Sequence, residues 1–173
     1  MERKFIFVCV CILLVTLSAV NAIPHRLYKR AATVFQKCAK LPCSTFLAVA
    51  ITPDPPVPGY LCTFDVAGTL GEPIPENSIL AIAFLDLTDV KNPEFIGPLF
   101  SEDICPALGC PYPAGTSFSV SANVSVPAVL PDQYAIGVGI GDPKEEAPVG
   151  CSIAIFGNTS VVPETDTILS LIV

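Results

Sequence analysis

Polar and apolar residues alternate with a period of two along much of this chain. Between 117 and 126, Phe118, Val120, Ala122, Val124 and Val126 fall on one side; Ser117, Ser119, Ser121, Asn123 and Ser125 fall on the other. Between 134 and 140, Tyr134, Ile136, Val138 and Ile140 face one way and Ala135, Gly137 and Gly139 the other. Phe64 and Val66 alternate with Thr63 and Asp65. Successive side chains of an extended strand point to opposite faces, so this period predicts strands that each turn an apolar face to a core. The stretch 79–85 is apolar at both parities, so its inner face stays open: Ile82 and Phe84, or Leu85 and its neighbours. No stretch combines a 3.6-residue apolar period with helix caps.

Strands are predicted over 45–51, 60–68, 78–87, 95–100, 116–126, 133–141 and 150–156. The segments between them, 52–59, 71–75, 91–93, 110–115 and 141–143, carry the proline, glycine, asparagine and aspartate that turns require. Seven short strands parted by turns predict an all-β sandwich of two sheets. There is no internal repeat and no linker to a second domain. Residues 158–163 read as loop, and 167–173 as a further strand or a loose end.

The termini change this picture. Arg3 and Lys4 precede an apolar run over 5–17, and Val20-Asn21-Ala22 ends in small residues, so 1–22 reads as a signal peptide. The run is shorter than the roughly 20 residues a membrane span needs. Residues 23–30 end in Lys29-Arg30, either a dibasic processing site closing a pro-segment or a solvated basic linker. The domain proper is predicted over 31–157, in a protein that is secreted or resides in the lumen of the secretory or vacuolar pathway. The full chain carries a formal charge of −7. Cut at both sites, it keeps four of nine basic and fifteen of sixteen acidic residues, a formal charge of −11. That excludes nucleic acid, whose phosphates need basic contacts, and standing electrostatic adhesion to anionic membranes. It favours a soluble monomer. Behind the leader remain Cys38, Cys43, Cys62, Cys105, Cys110 and Cys151, an even set that reads as disulfides in an oxidising compartment. Zinc is disfavoured by the Cys-x4-Cys spacings and the lack of a helping histidine.

No catalytic set is present. The sole histidine, His25, lies in 23–30 and is lost if Lys29-Arg30 is cut, which removes Ser-His-Asp and Cys-His arrangements from the mature chain. Asp86 with Asp89, and Glu102 with Asp103, read as exposed turn acids. Gly137-Val-Gly-Ile-Gly141 lies in a strand and is not a phosphate loop. No metal site and no cofactor is expected. Asn123-Val-Ser and Asn158-Thr-Ser are glycosylation sequons.

The order of several blocks resembles the ML lipid-recognition family, most nearly its fungal-type phosphatidylglycerol/phosphatidylinositol transfer proteins. The blocks are Cys38; Val49-Ala-Ile-Thr-Pro-Asp-Pro-Pro-Val-Pro-Gly59; Phe64-Asp-Val-Ala-Gly-Thr-Leu-Gly-Glu-Pro-Ile74; Cys105-Pro-Ala-Leu-Gly-Cys110; Ala114-Gly115; Val126-Pro127; Leu130-Pro131; Tyr134; and Cys151. They span about 38 to 157. The resemblance implies an immunoglobulin-like sandwich whose two sheets are splayed around an apolar cavity, a phospholipid or sterol held between them, and no catalysis. It implies bridges from Cys38 or Cys43 to Cys151 and from Cys105 to Cys110; the chain departs from the fungal pattern in its extra early cysteines, and the unused one is expected to pair with Cys62. Combined with the strand faces, it assigns the lipid-binding lining to Val49, Phe64, Val66, Ile82, Phe84, Phe95, Ile96, Leu99, Phe100, Phe118, Val120, Ile136, Val138 and Ile153, and an entrance to 89–104. The expected partners are lipid and, transiently, a membrane.

Periodicity alone does not distinguish a hollow sandwich from a filled one. The competing functions are a carrier that transfers phospholipid or sterol, an effector that senses or presents lipid, and a filled immunoglobulin-like adhesion module.

Overall fold

The computed structural model describes residues 32–38, 45–145 and 148–157. The predicted leader, the dibasic segment, the 158–173 tail, Cys43 and Asn158 lie outside the described residues. Within them the chain forms β1 (Thr45–Phe46), β2 (Ala48–Thr52), β3 (Leu61–Thr69), β4 (Ile79–Asp86), β5 (Glu94–Phe95), β6 (Phe100–Asp103), the single-turn α1 (Cys105–Leu108), β7 (Ser117–Ser125), β8 (Tyr134–Gly141) and β9 (Gly150–Phe156). One sheet runs β1-β9-β8-β4-β5, with β6 also paired to β4; the other runs β2-β3-β7. The all-β, two-sheet architecture is as the alternation predicts.

Two departures have local causes. The predicted strand 45–51 is two strands in different sheets: β1 pairs parallel with β9, and β2 antiparallel with β3. Leu47 carries the chain across and is fully buried. Its N–H donates to Ser152 Oγ at 3.2 Å, and the Ser152 hydroxyl donates back to the Leu47 carbonyl, so the buried serine is satisfied. The predicted strand 95–100 breaks at Gly97, whose φ of 81° leaves the extended region, and at Pro98, which has no N–H for a ladder. Its halves, β5 and β6, pair separately with β4.

The six-stranded sheet is apolar on both faces. Its inner residues, among them Leu80, Ile82, Phe84, Tyr134, Ile136, Val138, Ile140 and Ala154, join Phe64, Val66, Phe118, Ala122 and Val124 of the opposite sheet in one buried cluster. Its outer residues, Ala81, Ala83, Leu85, Leu87, Ala135, Cys151 and Ile153, form a second cluster with Cys38. The segment 32–38 joins the edge of β9 there. The Gln36 N–H donates to the Ile153 carbonyl at 2.7 Å, and the Ile153 N–H donates back at 2.9 Å. This two-sided burial explains why 79–85 is apolar at both parities.

Candidate functional site

The inner faces of the two sheets supply the site. β3 turns Cys62, Phe64 and Val66 inward, because alternate residues share a face and the intervening Thr63 and Asp65 meet the polar Asn123 and Ser121 of β7. β4 turns Ile82 and Phe84 inward and leaves Leu85 outside, which settles the parity left open by sequence. Phe64 and Phe84 meet across the sheets as an edge-to-face pair with ring centroids 6.5 Å apart, a favoured aromatic geometry. Phe118, Ile136 and Val138 are buried in the same cluster; Val49, Ile96, Phe100 and Val120 are half-buried against it.

The sandwich opens at one edge, where β7 faces the β5–β6 segment. A cleft of about 420 Å³ lies there, lined by Phe84, Gly97, Pro98, Leu99, Phe100, Asn123, Val124, Ser125, Val126 and Pro127. The cleft therefore reaches from solvent-exposed Leu99 down to Phe84, a member of the inter-sheet cluster. Of the predicted entrance 89–104, only the 97–100 part lines this cleft. The Asp89 turn is engaged with itself: the Lys91 N–H donates to Asp89 Oδ1 at 3.0 Å and the Asn92 amide to Oδ2 at 2.9 Å. Those bonds, the Asn92 amide foremost, hold the Asp89 carboxyl below its ordinary pKa.

Three expectations are corrected. Ile153 belongs to the outer cluster; β9 turns Ser152, Ala154 and Phe156 toward the inner side, one position out of step with the prediction. Phe95 is exposed and pairs with Leu85, and directly paired residues share a face, so Phe95 lies on the outer side. The bridge to Cys62 does not form. Cys38 and Cys62 are buried free thiols in different clusters, Cys38 on the outer face of one sheet and Cys62 on the inner face of the other. Burial pushes the Cys38 thiol up to about 12, and raises that of Cys62. Cys105 and Cys110 are bridged, closing the loop that contains α1. Cys151 is disulfide-bonded.

Sequence reasoning omitted Val124 and Val126 from the lining, although they share parity with Phe118 and Val120. Leu70 and Ile74 were also missed, since each is a lone apolar residue at a turn, and so was Leu47, whose apolar stretch 46–51 does not show by itself which parity faces inward. Asn123 is exposed on the outer face of β7 and accepts the Thr63 hydroxyl at 2.8 Å.

With this geometry in hand, the likeness to known proteins is specific. The profile of the ML domain matches residues 32–155. A Dictyostelium discoideum protein provisionally named phosphatidylglycerol/phosphatidylinositol transfer protein 2 is 29% identical over 108 residues, which is 60% of this chain and 70% of the relative. A second Dictyostelium protein with the same provisional naming is 34% identical over 84 residues, 48% of this chain and 54% of the relative. Among solved structures, a Niemann-Pick type C2 protein from the Japanese carpenter ant superposes with a TM-score of 0.51 at 18% identity, over 70% of this chain and 96% of that one.

Proposed function

Because the chain belongs to the ML-domain family, we propose that it is a lipid-binding protein that carries a phospholipid, of the phosphatidylglycerol or phosphatidylinositol type, or a sterol, without altering it chemically. The observation that carries this reading is the continuity between an apolar inter-sheet interior and an edge cleft whose floor is Phe84. The names given to the Dictyostelium relatives support the phospholipid class. The proposal places the protein in the secretory lumen or outside the cell, as the signal-like start and the cysteines suggest, and gives it brief contacts with membranes.

Among the described residues the inner cluster is apolar apart from the Cys62 thiol, the Tyr134 phenol and the satisfied Ser152, so a ligand's acyl chains or ring system would meet chiefly apolar atoms. A headgroup would stay at the mouth, where desolvation is not demanded. Moving a two-chain lipid through water exposes about 30 methylenes at ~0.8 kcal/mol each, a cost of ~24 kcal/mol that an apolar pocket largely removes. A cleft of about 420 Å³ is at the small end for a ligand site. Loading therefore requires the β7 edge and the 97–100 segment to part. The Phe64–Phe84 contact across the sheets favours a second reading, a filled module with no ligand.

Native mass spectrometry of the protein purified from secreting cells separates the two readings, since only the carrier retains lipid. Exchange of fluorescent phospholipid between vesicles, with intact lipid recovered afterwards, then distinguishes a carrier from a sensor. A folded protein that neither retains nor exchanges lipid would leave the filled module standing.

A further inference from the structure

Three connections meet beside the cleft. The β2–β3 loop is tied to the β7–β8 loop: the Gly59 N–H donates to the Val126 and Pro127 carbonyls at 3.3 and 3.2 Å, and the Val126 N–H donates to the Tyr60 carbonyl at 2.9 Å. The β5–β6 link closes the third side, where a Cβ on Gly97 would sit 3.8 Å from Pro127 Cγ. These connections hold apolar side chains out in water. Val129 is 77% exposed, Tyr60 69% and Leu61 64%, with Val57 and Leu99 also exposed. Single exposed apolar residues are ordinary, but five on three joined loops around one opening form a patch.

The charge distribution sharpens the observation. In a chain of formal charge −7, residues 55–61, 95–101 and 126–131 contain no acidic or basic side chain. A surface pressed into lipid must not desolvate a charge; these stretches carry none, and the acids that flank them, Asp54, Glu94, Glu102 and Asp132, set the depth at which insertion stops. Tyr60 adds an amphipathic ring of the kind suited to the headgroup boundary. The acidic remainder of the molecule is repelled by anionic leaflets, so attraction to a bilayer has to come from the apolar tip.

We propose that these three loops form a tip that inserts Val129, Tyr60, Leu61 and Leu99 into the interface of a zwitterionic phospholipid bilayer, which sets the cleft mouth against the lipid. The inference rests on the lipid-carrier reading and adds where, and to what surface, the carrier docks. Insertion of apolar side chains is insensitive to screening, whereas electrostatic adhesion weakens within a short Debye length.

The test is flotation with phosphatidylcholine vesicles at low and at high salt, using the wild-type protein, Val129→Asp and Tyr60→Ser. The wild type should float equally at both salts. Val129→Asp should weaken partition by about tenfold, the equivalent of one interfacial anchor at about 1.4 kcal/mol per tenfold. Both side chains are exposed, so both variants should keep the wild-type melting temperature and the lipid seen by native mass spectrometry, while exchange between vesicles slows in proportion. A wild type that does not float, or two variants that float and exchange like it, overturns the proposal. So does a wild-type dimer in sedimentation that the substitutions abolish, because the patch is then a contact between copies. Retained lipid without flotation sinks this inference and leaves the carrier reading intact; flotation without retained lipid does the reverse.

Discussion

Cys38 and Cys62 are thiols in places where a thiolate is costly. Each is buried among apolar side chains, and burial raises both above the ordinary thiol value of 9.0. Alkylation followed by peptide mapping should therefore leave both unmodified in the native protein at pH 8 and label both after denaturation. Finding either oxidised would show that the mature protein holds a different pairing. The same shifts set a pH dependence. The folded thiols hold their protons more tightly than the unfolded ones, so unfolding releases protons above pH 9. Stability from these groups is complete below pH 9 and falls as pH rises toward the folded value, about 12 for Cys38. Denaturant midpoints measured from pH 7 to 11 should be flat at first and then decline; a midpoint that rises across pH 9 to 11 contradicts the burial of the thiols.

Among the elements, β8 and β9 make the sharpest comparison. Val138 and Ile153 are both almost wholly buried, yet Val138 faces the opposite sheet and Ile153 faces outward. Val138→Asp should abolish lipid retention, because a carboxylate among apolar atoms costs several kcal/mol unless it stays neutral. Ile153→Ala should lower stability by about 2–5 kcal/mol through cavity formation and leave the lipid content of the folded protein unchanged. Native mass spectrometry with circular dichroism as a folding control reads both. Loss of lipid in folded Ile153→Ala would return Ile153 to the lining. The Cys105–Cys110 bridge closes only a short loop, so the double serine variant should lose about 2 kcal/mol in chemical denaturation, a chain-entropy value for a loop of this size.

At the scale of the molecule, the proposed binding and transfer would both use the open edge. The sheets meet at Phe64 and Phe84, and a cleft opens between the 97–100 and 123–127 segments. In the carrier reading, Leu99 and Phe100 belong to the route and Phe64 to the interior. Substituting serine at both 99 and 100 should slow exchange several-fold while the melting temperature falls little, since Leu99 is exposed and Phe100 only half-buried. Unchanged exchange in that variant would place the route elsewhere. The start of the mature chain is a separate expectation: N-terminal sequencing of secreted protein should read Ala31 if Lys29-Arg30 is cut, and Ile23 if only the signal peptidase acts.

The alternation of residues 117–126 and 134–140 determined by itself that this chain forms strands and which side of β7 and β8 turns inward. A strand's side-chain period is two whatever surrounds it. The same local rule, with the turn residues between strands, located seven strand regions; the Cys105–Cys110 bridge followed from the family resemblance. The rule was silent where both parities are apolar, as in 79–85, and it placed Ile153 one position out of step. A face is inner or outer only relative to a second layer, and β4 and β9 lie in a sheet buried on both sides. Tertiary structure alone decided that Leu47 moves the chain between sheets and that Cys38 and Cys62 stand on different layers. It alone brought Tyr60, Leu99 and Val129, far apart in sequence, around one mouth. These outcomes depend on which strands become neighbours, and that follows from the packing of the whole chain.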